Sequence, residues 1–414
     1  MGDAAASRQA TATEPIPRLP SEVWVLVVVS FIIAMGFSLV APALTIFARS
    51  FDVSVTAASA LISAFALMRL CFAPVSGKLV TSLGERPIYL AGILVVGLST
   101  GAAAFAQSYW QLLLFRGLGG IGSTMFTVSA FGLLVRLAPP EQRGRASGLF
   151  MTSFLVGNII GPVFGGGLLA INLRLPFLVY AVALMVAACV AWVLLRNSEL
   201  AAPERSADVA PVTLRHALRH RAYQAGLVAN FAKGWLVLGI RVSLVPLFVV
   251  DVLRQDVGWT GIALAVFSVG TVAVLTLSGR LADTLGRKPL IVAGLLVSAG
   301  GTVWLGYSEQ LTMFLVASLV TGVGVGMVQP SLGATVADVI GSRARGGTVL
   351  AGFQMAADFG VVVGPIFAGL LVDAVSYRIA FIVTGIISLL ALPLWLRAPE
   401  TLGERERSAH VSTT

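Results

Sequence analysis

Gly279-Arg280-Leu281-Ala282-Asp283-Thr284-Leu285-Gly286-Arg287-Lys288-Pro289 is a short charged turn, bounded by glycines, between two long apolar stretches. An altered copy, Gly77-Lys78-Leu79-Val80-Thr81-Ser82-Leu83-Gly84-Glu85-Arg86-Pro87, stands 202 positions earlier. A repeated turn of this kind predicts a duplicated chain, with glycines that let helices approach closely and basic residues that stay at a membrane surface.

Composition agrees with a membrane setting. Hydrophobic residues make up 57% of the 414 and charged residues 11%, with mean hydropathy +0.92. Soluble domains carry about 25% charged residues. The net charge of +9 reads as a topology signal beside apolar spans, and points away from nucleic acid as a partner. Cys71 and Cys189 lie in apolar stretches without metal-ligand spacing and are read as packing residues. His216, His220 and His410 all fall in polar segments. No metal, nucleotide or cofactor constellation is present in the sequence, and the loops are too short for a catalytic domain, which argues against an enzyme or an ATP-driven pump.

Uninterrupted apolar windows predict an all-α integral membrane protein of twelve transmembrane helices. The windows are 22–48, 57–81, 88–107, 109–136, 144–170, 175–196, 223–251, 259–283, 288–307, 311–338, 346–373 and 377–398. The expected organisation is a polar tail (1–21), a six-helix bundle (22–196), a cytoplasmic linker (197–222), a second six-helix bundle (223–398) and a carboxyl tail (399–414). The apolar run from Val23 is longer than a cleavable signal and continues as a span.

With both termini inside, twenty of the 28 lysines and arginines fall in tails and inward loops, among them Arg143, Arg145, Arg287, Lys288, Arg343 and Arg345. Only Arg49, Arg174, Arg254 and Arg378 fall in outward loops, so the positive-inside rule predicts cytoplasmic termini. The preference for Arg, Ala, Val and Gly over lysine is that of a GC-rich bacterial genome, hence an inner membrane. The halves match further: Arg143-Gly144 with Arg345-Gly346, and Gly161-Pro162 with Gly364-Pro365, at offsets of 202 or 203. Six spans per half give two parallel repeats, with a substrate site expected between them near the midplane.

Twelve spans, two such turns, the central linker and Pro399-Glu400-Thr401-Leu402-Gly403 together resemble the major facilitator superfamily over nearly the whole chain. Within it, the chain is similar to the twelve-span drug:proton antiporter branch. Arg116-Gly117 with Gly119, Gly120 and Gly122 resembles its motif B, which implies proton coupling at Arg116. Gly157, Gly161, Pro162 and Gly165 resemble the antiporter motif C; on physical grounds alone they form a small-residue packing seam with a bend at the proline. The repeated turn resembles motif A, so the resemblance implies an inward gate at Gly77, Arg86, Gly279, Asp283, Gly286 and Arg287. Thr81 stands where the family has an acid. Asp283 keeps the acid, and is expected to meet the start of the fifth helix near Gly144.

Ionisable groups inside a membrane cost about 2.5–3.5 kcal/mol each at a helix centre, so each calls for a reason. Five stand out: Arg69, Arg116, Lys233, Arg241 and Asp358. Asp358 is the one acid well within a span, and so the candidate proton carrier. Arg69 lies 12 residues before Thr81, and Asp358 lies 12 after Gly346. Both are therefore about 18 Å from the inner face. An Arg69–Asp358 pair that forms in one access state is expected; the alternatives are a permanent structural pair or two separately satisfied residues. Lys233 and Arg241, eight apart, either coordinate an anionic substrate or extend toward opposite surfaces, with Arg241 leaning to the cavity and Lys233 to a surface. Asn158, Asn230, Gln329 and Gln354 either line the cavity or bridge helices. Four cations against one deep acid favour neutral or anionic amphipathic cargo. The leading expectation is a proton-coupled exporter of drugs or metabolites, functional as a monomer; the alternative is a nutrient symporter or uniporter.

Overall fold

A computed structural model describes residues 19–139, 142–196, 213–341 and 347–402. Among them are twelve helices long and apolar enough to cross a membrane. They are α1 (Ser21–Arg49), α2 (Val55–Leu83), α3 (Glu85–Ala104), α4 (Tyr109–Leu137), α5 (Arg143–Ile171), α6 (Leu175–Leu195), α7 (Arg221–Asp251), α8 (Gly258–Thr284), α9 (Arg287–Gly306), α10 (Leu311–Ile340), α11 (Gly347–Ala374) and α12 (Tyr377–Arg397). Most of both tails and of the linker, together with Arg343, Arg345 and Gly346, lie outside the described residues. One helical turn, Leu214–Ala217, precedes α7.

Helix starts follow local chemistry. On the side away from the linker, Ser54, Ser108 and Ser376 each accept a backbone N–H from the first turn of α2, α4 and α12. On the linker side, α3 and α9 begin after Gly84 (φ 88°) and Gly286 (φ 107°), a conformation open to glycine at no steric cost. Prolines inside α1, α2, α5, α10 and α11 remove a ladder bond. In α7, residues Gly234–Ile240 wind as a π-helix, a rare form often found at functional positions.

Large apolar side chains cover the perimeter: Trp110 is 73% exposed and Ile171 75%, as lipid-facing residues are. Cys71 and Cys189 are exposed, which corrects their reading as packing residues. In a membrane helix an apolar context marks the lipid face as readily as the core, so hydropathy around a cysteine does not reveal its burial.

Inside each half, close helix approach replaces bulk. Gly120 packs on the Phe65 carbonyl, and 202 residues on, Gly322 packs on the Phe267 carbonyl. Gly92 faces Gly122, and Gly294 faces Gly324 in the same way. The motif at Gly157, Gly161 and Gly165 lies flat against α1 at Phe31, Met35 and Leu39. These contacts make the two halves structural repeats.

The halves meet through α2 with α11 and α5 with α8. On the side away from the linker the contact is tight: Gly166 rests on Gly258 and Gly261, and Gly369 rests on Thr56. Toward the linker the same helices part. A side chain at Gly77, Gly144, Gly148, Gly279 or Gly347 would meet open space, and between Arg69 and Leu83 only Ser76 is buried. The gap between the halves therefore opens on the linker side.

Candidate transport pathway

Where the gap narrows, Arg69 of α2 and Asp358 of α11 face each other across the halves, Nη2 to Oδ1 3.8 Å. Their side chains keep 30% and 15% of their surface exposed, so the pair stands at the wetted end of the gap. Gln354, one turn away, donates from Nε2 to the same Asp358 oxygen at 3.2 Å. Thr124 of α4 fixes the backbone below Arg69 by bonding its carbonyl at 3.0 Å. At this exposure the pair is screened and easily opened, unlike a dry one.

Arg116 stacks its guanidinium 4.1 Å from the Phe65 ring centroid and 5.4 Å from that of Phe37. Its Nε makes no hydrogen bond. Arg241 reaches from α7 to α8, bonding the Leu264 carbonyl and the Ser268 hydroxyl (2.7 Å), with its guanidinium 4.4 Å from the Phe267 centroid. Phe65 and Phe267 are 202 apart, so both repeats hold a cation over the same aromatic face, supplied by α4 in one and α7 in the other. Ser318, the counterpart of Arg116, lines the small cavity beside Arg241.

This placement takes Arg241 away from the gap between halves and into the second bundle. Lys233 does not extend to a surface: it lines another small cavity of that bundle with Ala229, Leu295, Ser298, Val325 and Ser388. No carboxylate is among those residues. Asn230 is buried and donates to the Phe353 carbonyl at 2.6 Å, a bridge from α7 to α11 and not a cavity wall. Asn158 bonds back to Phe154 in its own helix, 2.8 Å, and Gln329 is exposed.

The repeated turn is held within each half. Arg287 bonds Asp338 of α10 (3.2 Å), Asp283 (2.7 Å) and the Ala282 carbonyl. Asp283 remains 71% exposed and Gly144 has open space around it, so the expected contact between Asp283 and the start of α5 is not made. The linker-side ends are splayed, and that gate is open. In the first half, Glu85 pairs with Arg136 at 2.6 Å. These positions are those of Arg287 and Asp338 less 202, with the charges exchanged. Arg86 reaches the Arg196 carbonyl (3.5 Å), as Lys288 reaches that of Ala398 (3.0 Å). An offset comparison of charges could have found the exchanged pair in the sequence.

Glu400 gave no such signal. Its carboxylate accepts the backbone N–H groups of Arg287 (2.8 Å) and Lys288 (3.0 Å), tying the carboxyl tail to the start of α9. Burial pushes this carboxyl up, but the N–H groups of Leu402, Arg287, Lys288 and Thr401 outweigh it and hold it below its ordinary value of 4.5. A lowered folded value means that the anchoring is complete above the unfolded value and is lost as pH falls through the folded one. Limited proteolysis of the carboxyl tail is therefore expected to accelerate below about pH 4.5 in the wild type, while Glu400→Gln cuts faster at neutral pH and with a flatter acid response.

Two six-helix repeats, a gap between them open to one side, and an ion pair across the gap at mid-helix are the architecture of a polytopic carrier. The Major Facilitator Superfamily profile matches residues 26–260 and again 235–413. The chain belongs to that superfamily. It is 31% identical over 304 residues to the class C tetracycline resistance protein of Escherichia coli, covering 71% of this chain and 76% of the relative. It is 24% identical over 391 residues to multidrug resistance protein 1 of Bacillus subtilis, covering 90% and 95%. The human chromaffin granule amine transporter is 25% identical over 85% of this chain and 67% of its own, so the chain spans about two thirds of the length of that relative. A bacterial homologue of the lysosomal transporter Spinster, solved inward-facing, superposes with a TM-score of 0.74 at 18% identity over 93% and 96% of the chains. A D-xylose–proton symporter gives 0.73 at 17% identity over 92% and 98%. These two likenesses show the fold.

Proposed function

We propose that this transporter exports small amphipathic compounds in exchange for protons by rocking its halves about the Arg69–Asp358 level. The observation that carries the reading is the ion pair itself, which joins α2 to α11 across the halves at mid-helix. Protonation of Asp358 removes the charge that holds Arg69, so proton binding and the closeness of the halves are linked. The twofold match to tetracycline and multidrug resistance proteins supports efflux as the direction. The termini and the open side face the cytoplasm of a bacterial inner membrane, and one chain holds the whole pathway.

The cargo is neutral or anionic. Asp358 faces Arg69 across the gap, and Arg116 shows no carboxylate partner among the described residues, so the path offers more positive than negative charge. An amine of the kind named for the chromaffin relative would need a free carboxylate in the path. A nutrient symporter shares every geometric feature and differs in the direction of coupled flow.

The test is uptake into reconstituted vesicles of neutral, anionic and cationic fluorescent compounds, with and without a pH gradient. Wild type is expected to move cargo against proton flow, and Asp358→Asn to lose roughly 5–150-fold of the gradient's effect, the usual span of a coupling energy. Gradient-driven uptake retained in Asp358→Asn would overturn the assignment, and cargo moving with protons would make the chain a symporter.

A further inference from the structure

The side of the molecule away from the linker is held shut by a group outside the pathway described above. Asp373, at the end of α11, crosses to the other half and sits on the first turn of α2. Its Oδ1 accepts the Val55 N–H at 3.0 Å, and its Oδ2 accepts the Thr56 N–H at 2.9 Å and the Thr56 hydroxyl at 2.5 Å. The two backbone donors belong to a helix N-terminus, whose dipole favours an anion. Close packing of Gly369 on Thr56 one turn earlier aligns the carboxylate with them.

The other repeat-related contact lacks this device. The counterpart of Thr56 at 202 is Gly258, and the counterpart of Asp373 at 203 is Ala170, which lies beside Gly258 with no group able to ionise. Of the two seams that close this side, one therefore packs small residues against each other at this level and the other ends in a carboxylate. Around Asp373 the charged or titratable groups are Arg49 of α1, Asp52 of the α1–α2 turn, Asp251 of α7, Tyr377 of α12 and Tyr109 of α4; the first turn of α2 offers none. Arg49 is engaged with the Val53 carbonyl, Tyr377 donates to Asp251 at 2.6 Å, and Tyr109 donates to the Ala57 carbonyl at 2.9 Å. The carboxylate is thus matched to α2 by hydrogen bonds and not by an ion pair.

We infer that Asp373 is a second proton-binding site, a latch whose protonation releases α2 from α11 and lets the molecule open on the side away from the linker. A neutral carboxyl loses the charge that the two backbone N–H groups and the helix N-terminus favour, and its new O–H can be accepted at the start of α2 by a hydroxyl such as that of Thr56 and by neither of those backbone donors. Acid on that side then favours opening, as an exchanger needs when it takes up its proton there. The inference rests on the alternating-access reading, but it concerns a different carboxylate and a different end of the helices.

The experiment is a pulsed electron spin distance measurement on protein freed of Cys71 and Cys189 by serine substitution. Spin labels at Phe105→Cys and Val252→Cys, both exposed and on opposite halves, report this side. As pH falls, the wild-type distribution is expected to shift toward longer distances. Asp373→Asn is expected to raise the open-to-closed ratio roughly tenfold at neutral pH, the scale of losing a charge-assisted bond, and to flatten its pH response. Thr56→Val, a conservative change that leaves the backbone donors in place, is expected to give a smaller rise with the pH response kept. A wild type without pH response, or an Asp373→Asn variant that still responds as wild type does, would overturn the latch. Because the readout needs neither cargo nor gradient, Asp358→Asn in the same assay separates failure of the latch from failure of the exchange reading.

Discussion

Asp338→Ala is expected to destabilise the protein by about 3–5 kcal/mol, the range for stripping a buried ion of its partner. Asp338 is 4% exposed and Arg287 11%, so the guanidinium left behind could not be rehydrated without opening the junction of α9 and α10. Asp283 would compensate little, being 71% exposed. Asp338 also accepts from Thr401 at 3.1 Å, so the carboxyl tail loosens with it. Thermal unfolding in detergent, followed by tryptophan fluorescence, measures the loss. The first repeat supplies the control, since it builds the same pair as Glu85 and Arg136 with the charges exchanged. Arg287→Glu combined with Asp338→Arg is therefore expected to recover most of the stability. If the single variant loses less than about 1 kcal/mol, the pair is no more than a surface contact.

Gly165→Val is expected to be as severe. A Cβ at Gly165 would strike the Leu39 carbonyl, and at Gly161 that of Met35. Both obstacles are backbone, which cannot rotate aside as a flexible side chain can. Overpacking of this kind costs about 3 kcal/mol or more when nothing can yield, and here it forces α1 from α5 along their length. Gly148→Ala, in the same helix but facing open space, is expected to be neutral or to gain up to about 1 kcal/mol from helix propensity. Melting temperatures of the two variants decide it: equal values would mean that the glycines of α5 are not a packing seam.

These glycines show how far the sequence could be read. Their spacing of four places them on one face whatever the fold, because a helix turns every 3.6 residues. That the face meets α1, and not the partner half, depends on how six helices nest. Gly166, the next residue, meets α8 of the other half instead.

Arg69 and Asp358 were matched in depth because helical rise is fixed, and two residues equally far from one membrane face lie at one level. The expected gate at Asp283 depends on which access state is populated, which no residue pattern encodes. Lys233 and Arg241 show the limit most plainly. Periodicity gives the direction of one side chain relative to another, but not toward cavity, lipid or bundle interior. In α7 the π-helical stretch Gly234–Ile240 falls between the two and breaks even the relative count.

The sequence by itself therefore determined the spans, the duplication at an offset of 202, the side bearing the positive charge and the levels at which ionisable groups sit. Each follows from a quantity local to the chain: apolar length, rise per residue, loop charge. Tertiary structure alone decided that Asp373 would seal the start of α2, that Glu400 would hold the start of α9, and that Arg116 and Arg241 would cover repeat-related phenylalanines. Those contacts join residues as much as 318 positions apart, and they exist because buried backbone donors and desolvated cations take whichever partner the packing of helices brings within reach.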